Sequence, residues 1–249
     1  MLHAFAQYFL KQDSGLSDAT KAMIDALPYT ERQYEARESV YLAGDTVDNI
    51  LIVKDGWFAS SIDLRDGGRQ LLNYYVPIDI VGLEFVDSVE TPTGLTALSA
   101  SRARLVPRKD FVKIMKSDVT LTTQVLSLLG LQDVLMQERL CAMSRMTARD
   151  RIAYFLLSLR SKVNAKTEEK SMTIIFPLTQ TDIADSLGLT NVTVSRSLTE
   201  LEQMGYLKYS RNIVEFIRLE MLAEEVAFTD RYAKFNSTVA KSLNDELAA

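Results

Sequence analysis

From residue 34 to about residue 107, short apolar runs alternate with turn residues; after Pro107 the apolar positions take helical spacing. Gly44-Asp45, Asp55-Gly56, Asp66-Gly67-Gly68, Pro77 and Pro92-Thr93-Gly94 mark the turns. Asp55-Gly56 separates Ile50-Leu51-Ile52-Val53 from Trp57-Phe58-Ala59 and predicts a β-hairpin. Phe58, Ser60, Ile62 and Leu64 alternate with Trp57, Ser61 and Asp63, the pattern of a half-buried strand. Asp66-Gly67-Gly68 then returns the chain into a run from Gln70 to Val76. Several short strands at this spacing predict a double-sheet roll or barrel.

The second half reads as helices. Asp110 to Lys116 predicts a short one, and Val119 to about Ser144 a long one. Leu121, Val125, Leu128, Leu131 and Leu135 step by three or four and form an apolar seam, which two parallel helices would bury against each other. Packing on the chain's own barrel is the alternative. Leu129 and Met136 favour the dimer, because they leave apolar surface on a second face that a lone barrel cannot also cover. Gly130 costs the helix about 1 kcal/mol relative to Ala, a cost that a close helix approach would explain. Ser144 to Asp150 predicts a hinge, followed by an apolar helix over Arg151–Leu159 and a polar loop over Ser161–Ser171. Met221 to Ala249 reads as a helical, acidic tail.

The segment over residues 178–207 carries the most specific signal. Thr179 is a good N-cap, with Asp182 placed to favour the positive end of a helix. Ile183, Ala184 and Leu187 give that helix one buried face, and Gly188 permits a left-handed turn. Thr190 caps a second helix whose Val194, Leu198 and Leu201 recur at i, i+4 and i+7. This is a helix-turn-helix, and a three-helix packing unit without nucleic acid is its plain alternative. Asn191, Val192, Thr193, Ser195 and Arg196 remain outward on the second helix. Lys208 to Ile217 reads as a turn and a strand, the wing of a winged helix, with Lys208 and Arg211 near a phosphate track.

Charge supports this division. The chain of 249 residues has a net charge of −5, unevenly spread. Residues 1–144 carry 14 Lys+Arg against 19 Asp+Glu, residues 145–218 carry 11 against 8, and residues 219–249 carry 3 against 6. The one positive block holds the helix-turn-helix, as expected of a sensor joined to a DNA reader. No run approaches the roughly 18–20 apolar residues of a membrane span, and the first residues lack a signal-type pattern, so a cytoplasmic protein is expected. The lone Cys141 excludes an internal disulfide, an iron–sulfur cluster and a cysteine zinc site, and reads as a small packing residue. His3 is the only histidine and a poor haem or metal ligand. No P-loop, HExxH or G-x-S-x-G is present, and with histidine nearly absent the commonest general base is all but missing, so an enzyme is disfavoured.

The order barrel, long helix, hinge, winged helix resembles the Crp/Fnr family of bacterial transcription regulators over about residues 20–218. The run Val40-Tyr41-Leu42-Ala43-Gly44-Asp45-Thr46-Val47-Asp48-Asn49-Ile50-Leu51-Ile52-Val53-Lys54-Asp55-Gly56 is similar to the family's barrel hallmark, and the helix-turn-helix match is the more specific of the two. The resemblance implies an α+β fold: a sensor barrel of double-stranded β-helix (jelly-roll) type over 1–116, a dimerisation helix and hinge over 117–146, a winged helix-turn-helix over 147–218, and a tail over 219–249. It implies a homodimer formed through the 119–144 helix, binding an inverted repeat in double-stranded DNA and acting on RNA polymerase. It places Arg196 at the family's recognition arginine, whose guanidinium can hold guanine O6 and N7 together. Ser195 matches the serine before it in the Fnr branch. Val192 stands where the family usually has Glu, and can meet only apolar surface such as a thymine methyl.

With Asn191 and Thr193 tuning neighbouring bases, Thr179, Gln180, Thr181, Lys208 and Arg211 are expected on phosphates, and Thr190 belongs to the same surface. The effector site matches the family less well. Gly82 and Glu84 are spaced one residue too wide, and the stretch around Thr96 has no Arg to cradle a cyclic phosphate. Cyclic AMP, an iron–sulfur cluster and haem are therefore disfavoured and no cofactor is expected, while an unknown small-molecule effector stays open. The alternative function is a ligand-binding regulatory module whose winged helix contacts proteins.

Overall fold

The computed structural model describes residues 16–85, 90–167 and 170–235. His3 and the tail beyond residue 235 lie outside the described residues. By its contacts the chain forms two units: one runs to Ile62 and includes Leu72–Gly130; the other comprises Asp63–Leu71 and the chain from Leu131.

The first unit opens with α1 (Asp18–Asp25), capped by the Ser17 hydroxyl, which accepts from the Thr20 amide. Strands β1 (Thr30–Tyr34), β2 (Ser39–Tyr41), β3 (Asn49–Asp55), β4 (Phe58–Asp63), β5 (Arg69–Tyr75), β6 (Ile80–Val81), β7 (Gly94–Ala97) and β8 (Ser101–Pro107) follow. They form two four-stranded sheets, ordered β1-β8-β3-β6 and β2-β7-β4-β5. Each sheet draws on strands distant in sequence, the jelly-roll arrangement expected from the turn spacing. The continuous apolar run of β3 is explained by burial on both faces. Leu51 and Val53 enter the core between the sheets with Tyr34, Phe58, Tyr75, Leu95 and Ala97. Ile50 and Ile52 face the other way, under α1, α2 (Arg108–Ser117) and the first turns of the long helix α3 (Val119–Arg145).

Two elements differ from what the pattern predicts. Asp55-Gly56 is not the turn of a hairpin: β3 pairs with β6 and β8, whereas β4 belongs to the other sheet, so this turn carries the chain from one sheet to the other. Gly56 is needed there twice over. Its φ is +78°, and a Cβ would lie 2.0 Å from Ser101 Oγ and 2.7 Å from Ser101 Cα. Gly56→Ala should therefore cost about 2–3 kcal/mol, from overpacking plus a left-handed Ala; urea unfolding that matched wild type would contradict this account of the corner. The adjacent hairpin is β4–β5, closed at Asp66-Gly67-Gly68.

The second is α3. Its seam of Leu121, Val125 and Leu128 does not await a partner; it completes the core beneath the β3 sheet with Ile50, Phe111 and Ile114. Leu131 is also buried and Leu135 half-buried. The open face is the opposite one, with Val119, Leu126, Val134, Met136 and Leu140 exposed. Gly130 lies on this side, with nothing within 4 Å of where its Cβ would be. Cys141, read as a packing residue, is exposed. Among the described residues, α3 is the one helix long and apolar enough by length and composition to cross a bilayer, contrary to the expectation from the apolar runs. One side of it is core, and Asp133, Glu138 and Arg139 interrupt it, so it is not a membrane span.

In the second unit, α3 ends at Arg145, and α4 (Ala148–Asn164) begins after the N-cap Thr147, whose hydroxyl accepts from the Asp150 amide. The predicted hinge is thus reduced to Met146-Thr147, and the helix after it is longer than its apolar stretch. Strand β9 (Thr173–Ile175), α5 (Gln180–Leu187), α6 (Asn191–Gln203), β10 (Leu207–Ser210), β11 (Ile213–Phe216) and α7 (Leu219–Glu225) complete the domain, with a sheet ordered β10-β11-β9. The predicted helical tail is broken: after α7 the helix stops, and residues 231–235 are helical again.

Candidate nucleic-acid interface

The first helix of the motif is fixed at both ends. Thr179 Oγ1 accepts from the Asp182 amide at 3.1 Å, and Asp182 Oδ2 accepts from the Thr179 amide at 2.8 Å, a complete capping box. At the other end Gly188 takes φ +62°, and Leu189 N donates to the Ala184 carbonyl. The second helix starts at Thr190, whose hydroxyl accepts from the Thr193 amide at 3.2 Å. Val194, Leu198 and Leu201 are buried as the spacing requires, and Ser197 is buried with them. Burial of three such side chains contributes about 1.5–3 kcal/mol each, which fixes the roll of α6 and hence which residues point outward.

The outward row is Asn191, Val192, Ser195 and Arg196, all exposed. Val192 is 79% exposed, so packing does not explain it. Arg196 forms no ion pair among the described residues, and its five N–H donors project from a rigid helix. Asn191 Nδ2 donates to Thr181 Oγ1 at 3.2 Å, tying the two helices together across their exposed surface. Thr193 is half-buried and shares a hydrogen bond with the Thr190 hydroxyl. Thr181 is exposed and Gln180 half-buried. Thr179 is exposed too, but its amide and hydroxyl both donate to Asp182. Its donors therefore serve the cap, and a phosphate would have to displace Asp182 to use them.

The wing is the β10–β11 hairpin. Its central residues Arg211 and Asn212 have φ +42° and +71°, the positive pair that a tight primed turn requires. This puts Arg211 at the tip. Lys208 is exposed and pairs loosely with Glu215 across the hairpin at 3.9 Å.

Several groups that hold this surface in place carry no local sequence signal. Arg149, counted above with the basic block, faces inward: it pairs with Asp150 at 2.6 Å, Glu225 at 2.8 Å and Glu200 at 3.7 Å, joining α4 to α6 and α7. Tyr206 donates to Glu225 as well, and that hydrogen bond raises the phenol above its usual pKa. Arg151 donates to the carbonyls of Leu187 and Met146. Asp182, almost wholly buried, is paired with Arg69 of the same unit at 2.9 Å. Apart from Asp150 and Met146, these partners of Arg149, Arg151 and Asp182 lie tens of residues away, so spacing could not reveal them.

The three residues expected in the effector pocket are not gathered into one. Gly82 is buried with φ +98°. Glu84 accepts the Tyr75 hydroxyl at 3.1 Å, and the buried Tyr75 ring fills the space between the sheets. Leu95 and Ala97 enter that core, so strand alternation turns Thr96 to the opposite face. A cavity of about 450 Å³ opens elsewhere, between Arg32, Tyr34, Tyr41 and Asn49.

Comparison with known proteins agrees with both halves. The family model described as a cyclic nucleotide-binding domain matches residues 31–118, and that described as a Crp-like helix-turn-helix domain matches residues 150–225. The nitrogen fixation regulation protein FixK of Azorhizobium caulinodans is 32% identical over 173 residues, 68% of each chain. The transcriptional activator protein FnrL of Cereibacter sphaeroides is 30% identical over 195 residues, 76% of this chain and 78% of its own. The structure of FixK2 from Bradyrhizobium japonicum superposes with a TM-score of 0.71 at 26% identity, covering 80% of this chain and 97% of that one.

Proposed function

The chain belongs to the Crp/Fnr family of transcription regulators, DNA-binding proteins rather than enzymes, and we propose that it acts as a cytoplasmic homodimer reading an inverted repeat. The observation that carries this reading is the outward row on α6: Val192, Ser195 and Arg196 stand free beside a capped helix start, next to a wing bearing Lys208 and Arg211. Each copy of α6 enters a major groove N-terminus first, with half-sites about one helical turn, roughly 10 bp, apart. Arg196 takes a guanine, and Val192 favours a thymine methyl where a Glu would select cytosine. Thr181, Lys208 and Arg211 set the register on phosphates. Bound in this way, the dimer acts on RNA polymerase at the promoter.

We further infer that the barrel's signal is not a cyclic nucleotide. One oxygen of Glu84 accepts the Tyr75 hydroxyl, and the strand from Gly94 to Ala97 offers no guanidinium to a cyclic phosphate. This supports an effector of another chemistry.

Selection of duplexes from a randomised pool, with purified protein and no added effector, tests the reading. The expected product is an inverted repeat, bound with an affinity that falls steeply with salt as counterions are released. Binding that ignores salt, or enrichment of nothing even with cell extract added, would favour a protein-contacting role for the winged helix.

A further inference from the structure

The described chain continues for ten residues past the end of the helix-turn-helix match at 225. Val226 is buried, and Ala227, with φ +50°, turns the chain back over α4. The Phe228 ring meets Tyr154 of α4 edge-on, with centroids 5.3 Å apart. Asp230 accepts the Ser161 hydroxyl of α4 and the amide of Ala233, which caps the helical residues 231–235. Arg231 then reaches α3: its Nε donates to Glu138 Oε1 at 2.6 Å, and its Nη2 lies 2.5 Å from the same oxygen in an ion pair. The other oxygen of the same carboxylate accepts the Tyr154 hydroxyl at 2.9 Å. Glu138 is thus held from two directions, by α4 and by the returning chain. All of these residues belong to the second unit, and the joint between α3 and α4, Met146-Thr147, lies between the residues they tie together.

We propose that residues 227–235 are a strap across the α3–α4 joint, fixing the direction in which the DNA-binding domain leaves the long helix. No residue of the strap belongs to the outward surface of α6 or the wing. Its effect on DNA is through position: a joint held in one arrangement spares the ordering that two readers must otherwise undergo when they engage one operator. A lone ion pair at this exposure would contribute little. The strap combines a hydrogen-bonded ion pair, a ring contact and a carboxylate that also accepts the Tyr154 hydroxyl. Burial and the bond to Glu138 hold the Tyr154 phenol well above its usual pKa, so Tyr154 stays a donor at any physiological pH.

The consequence for DNA rests on the function proposed above; the strap itself does not, and the experiment separates them. Amide hydrogen exchange is followed in the full chain without DNA for wild type, Arg231→Ala and Phe228→Ala. Exchange over residues 142–151 should quicken about tenfold in both variants, with the amides of Val194–Leu201 unchanged, the signature of a local opening. Unchanged exchange at the joint would overturn the strap. Equal quickening across α6 would reduce these residues to general stabilisers of the domain, and overturn it as well. Operator binding is then measured on the selected duplex, where both variants should bind about tenfold more weakly with dimerisation intact. A looser joint with unchanged or tighter binding would overturn the link to DNA. Failure of wild type to select any duplex would refute the proposed function and leave the exchange result to decide the strap.

Discussion

Arg196→Ala is expected to remove most sequence-specific DNA binding while leaving the fold and the dimer as they are. A bidentate arginine–guanine contact discriminates by about 1–3 kcal/mol, and a dimer makes two. The loss should then be about 2–6 kcal/mol, or roughly thirtyfold at the least. The structure supports the second half of the prediction: Arg196 is exposed on α6, forms no ion pair among the described residues, and lies opposite the buried Val194–Leu198–Leu201 stripe. Its removal strands no buried partner. Fluorescence anisotropy on the selected operator and on a scrambled duplex would measure the effect, with the melting temperature as the control for folding. Arg196→Lys sharpens the test, because it keeps the charge and loses the fork; it should retain binding to the scrambled duplex and lose the preference for the operator. If either variant held the operator as tightly as wild type, Arg196 would not be the reading residue.

The recognition surface was legible from sequence because its determinants are local. Caps at Thr179 and Thr190, a left-handed Gly188 and a buried stripe at i, i+4 and i+7 fix two short helices without reference to anything distant. The barrel was legible in kind but not in pairing. Asp55-Gly56 has the chemistry of a hairpin turn, and the turn is there; which sheet the next strand joins is decided by long-range packing against β7 and β8, and by Ser101, whose backbone leaves no room for a Cβ at Gly56. The faces of the long helix are ambiguous in the sequence for a related reason. It is apolar on nearly all sides, so periodicity alone cannot rank one face above another. Phe111 and Ile114 of the preceding helix claim the Leu121 face, which leaves the Leu126 face open. Arg149 shows the same limit in electrostatics. It raises the local positive count that marks a DNA reader, yet its charge is spent on Asp150, Glu200 and Glu225.

This reassignment of faces gives the second large expected effect. Val119, Leu126 and Leu140 lie on one seven-residue line of the open side of α3, interrupted by Asp133, and Leu126 and Leu140 are 61% and 68% exposed. Apolar residues at this spacing are what a pair of helices buries against each other, and Gly130 on this side allows close approach. Leu126→Glu with Leu140→Glu would bury four unpaired carboxylates in the dimer, where each uncompensated charge costs about 3–5 kcal/mol. Sedimentation velocity should then find monomers at concentrations where wild type is dimeric. Operator affinity should fall about 10²–10⁴-fold, because linked half-sites become separate binding events. The melting of the monomer should be spared, since neither leucine touches the core of its own chain. Leu121→Glu discriminates between the two faces: it places a carboxylate among Ile50, Phe111 and Val125 and should unfold the barrel unit rather than dissociate a dimer. A Leu126→Glu, Leu140→Glu double variant that sediments as wild type would mean that the dimer, if formed, uses another surface, and that the apolar row on α3 serves something else.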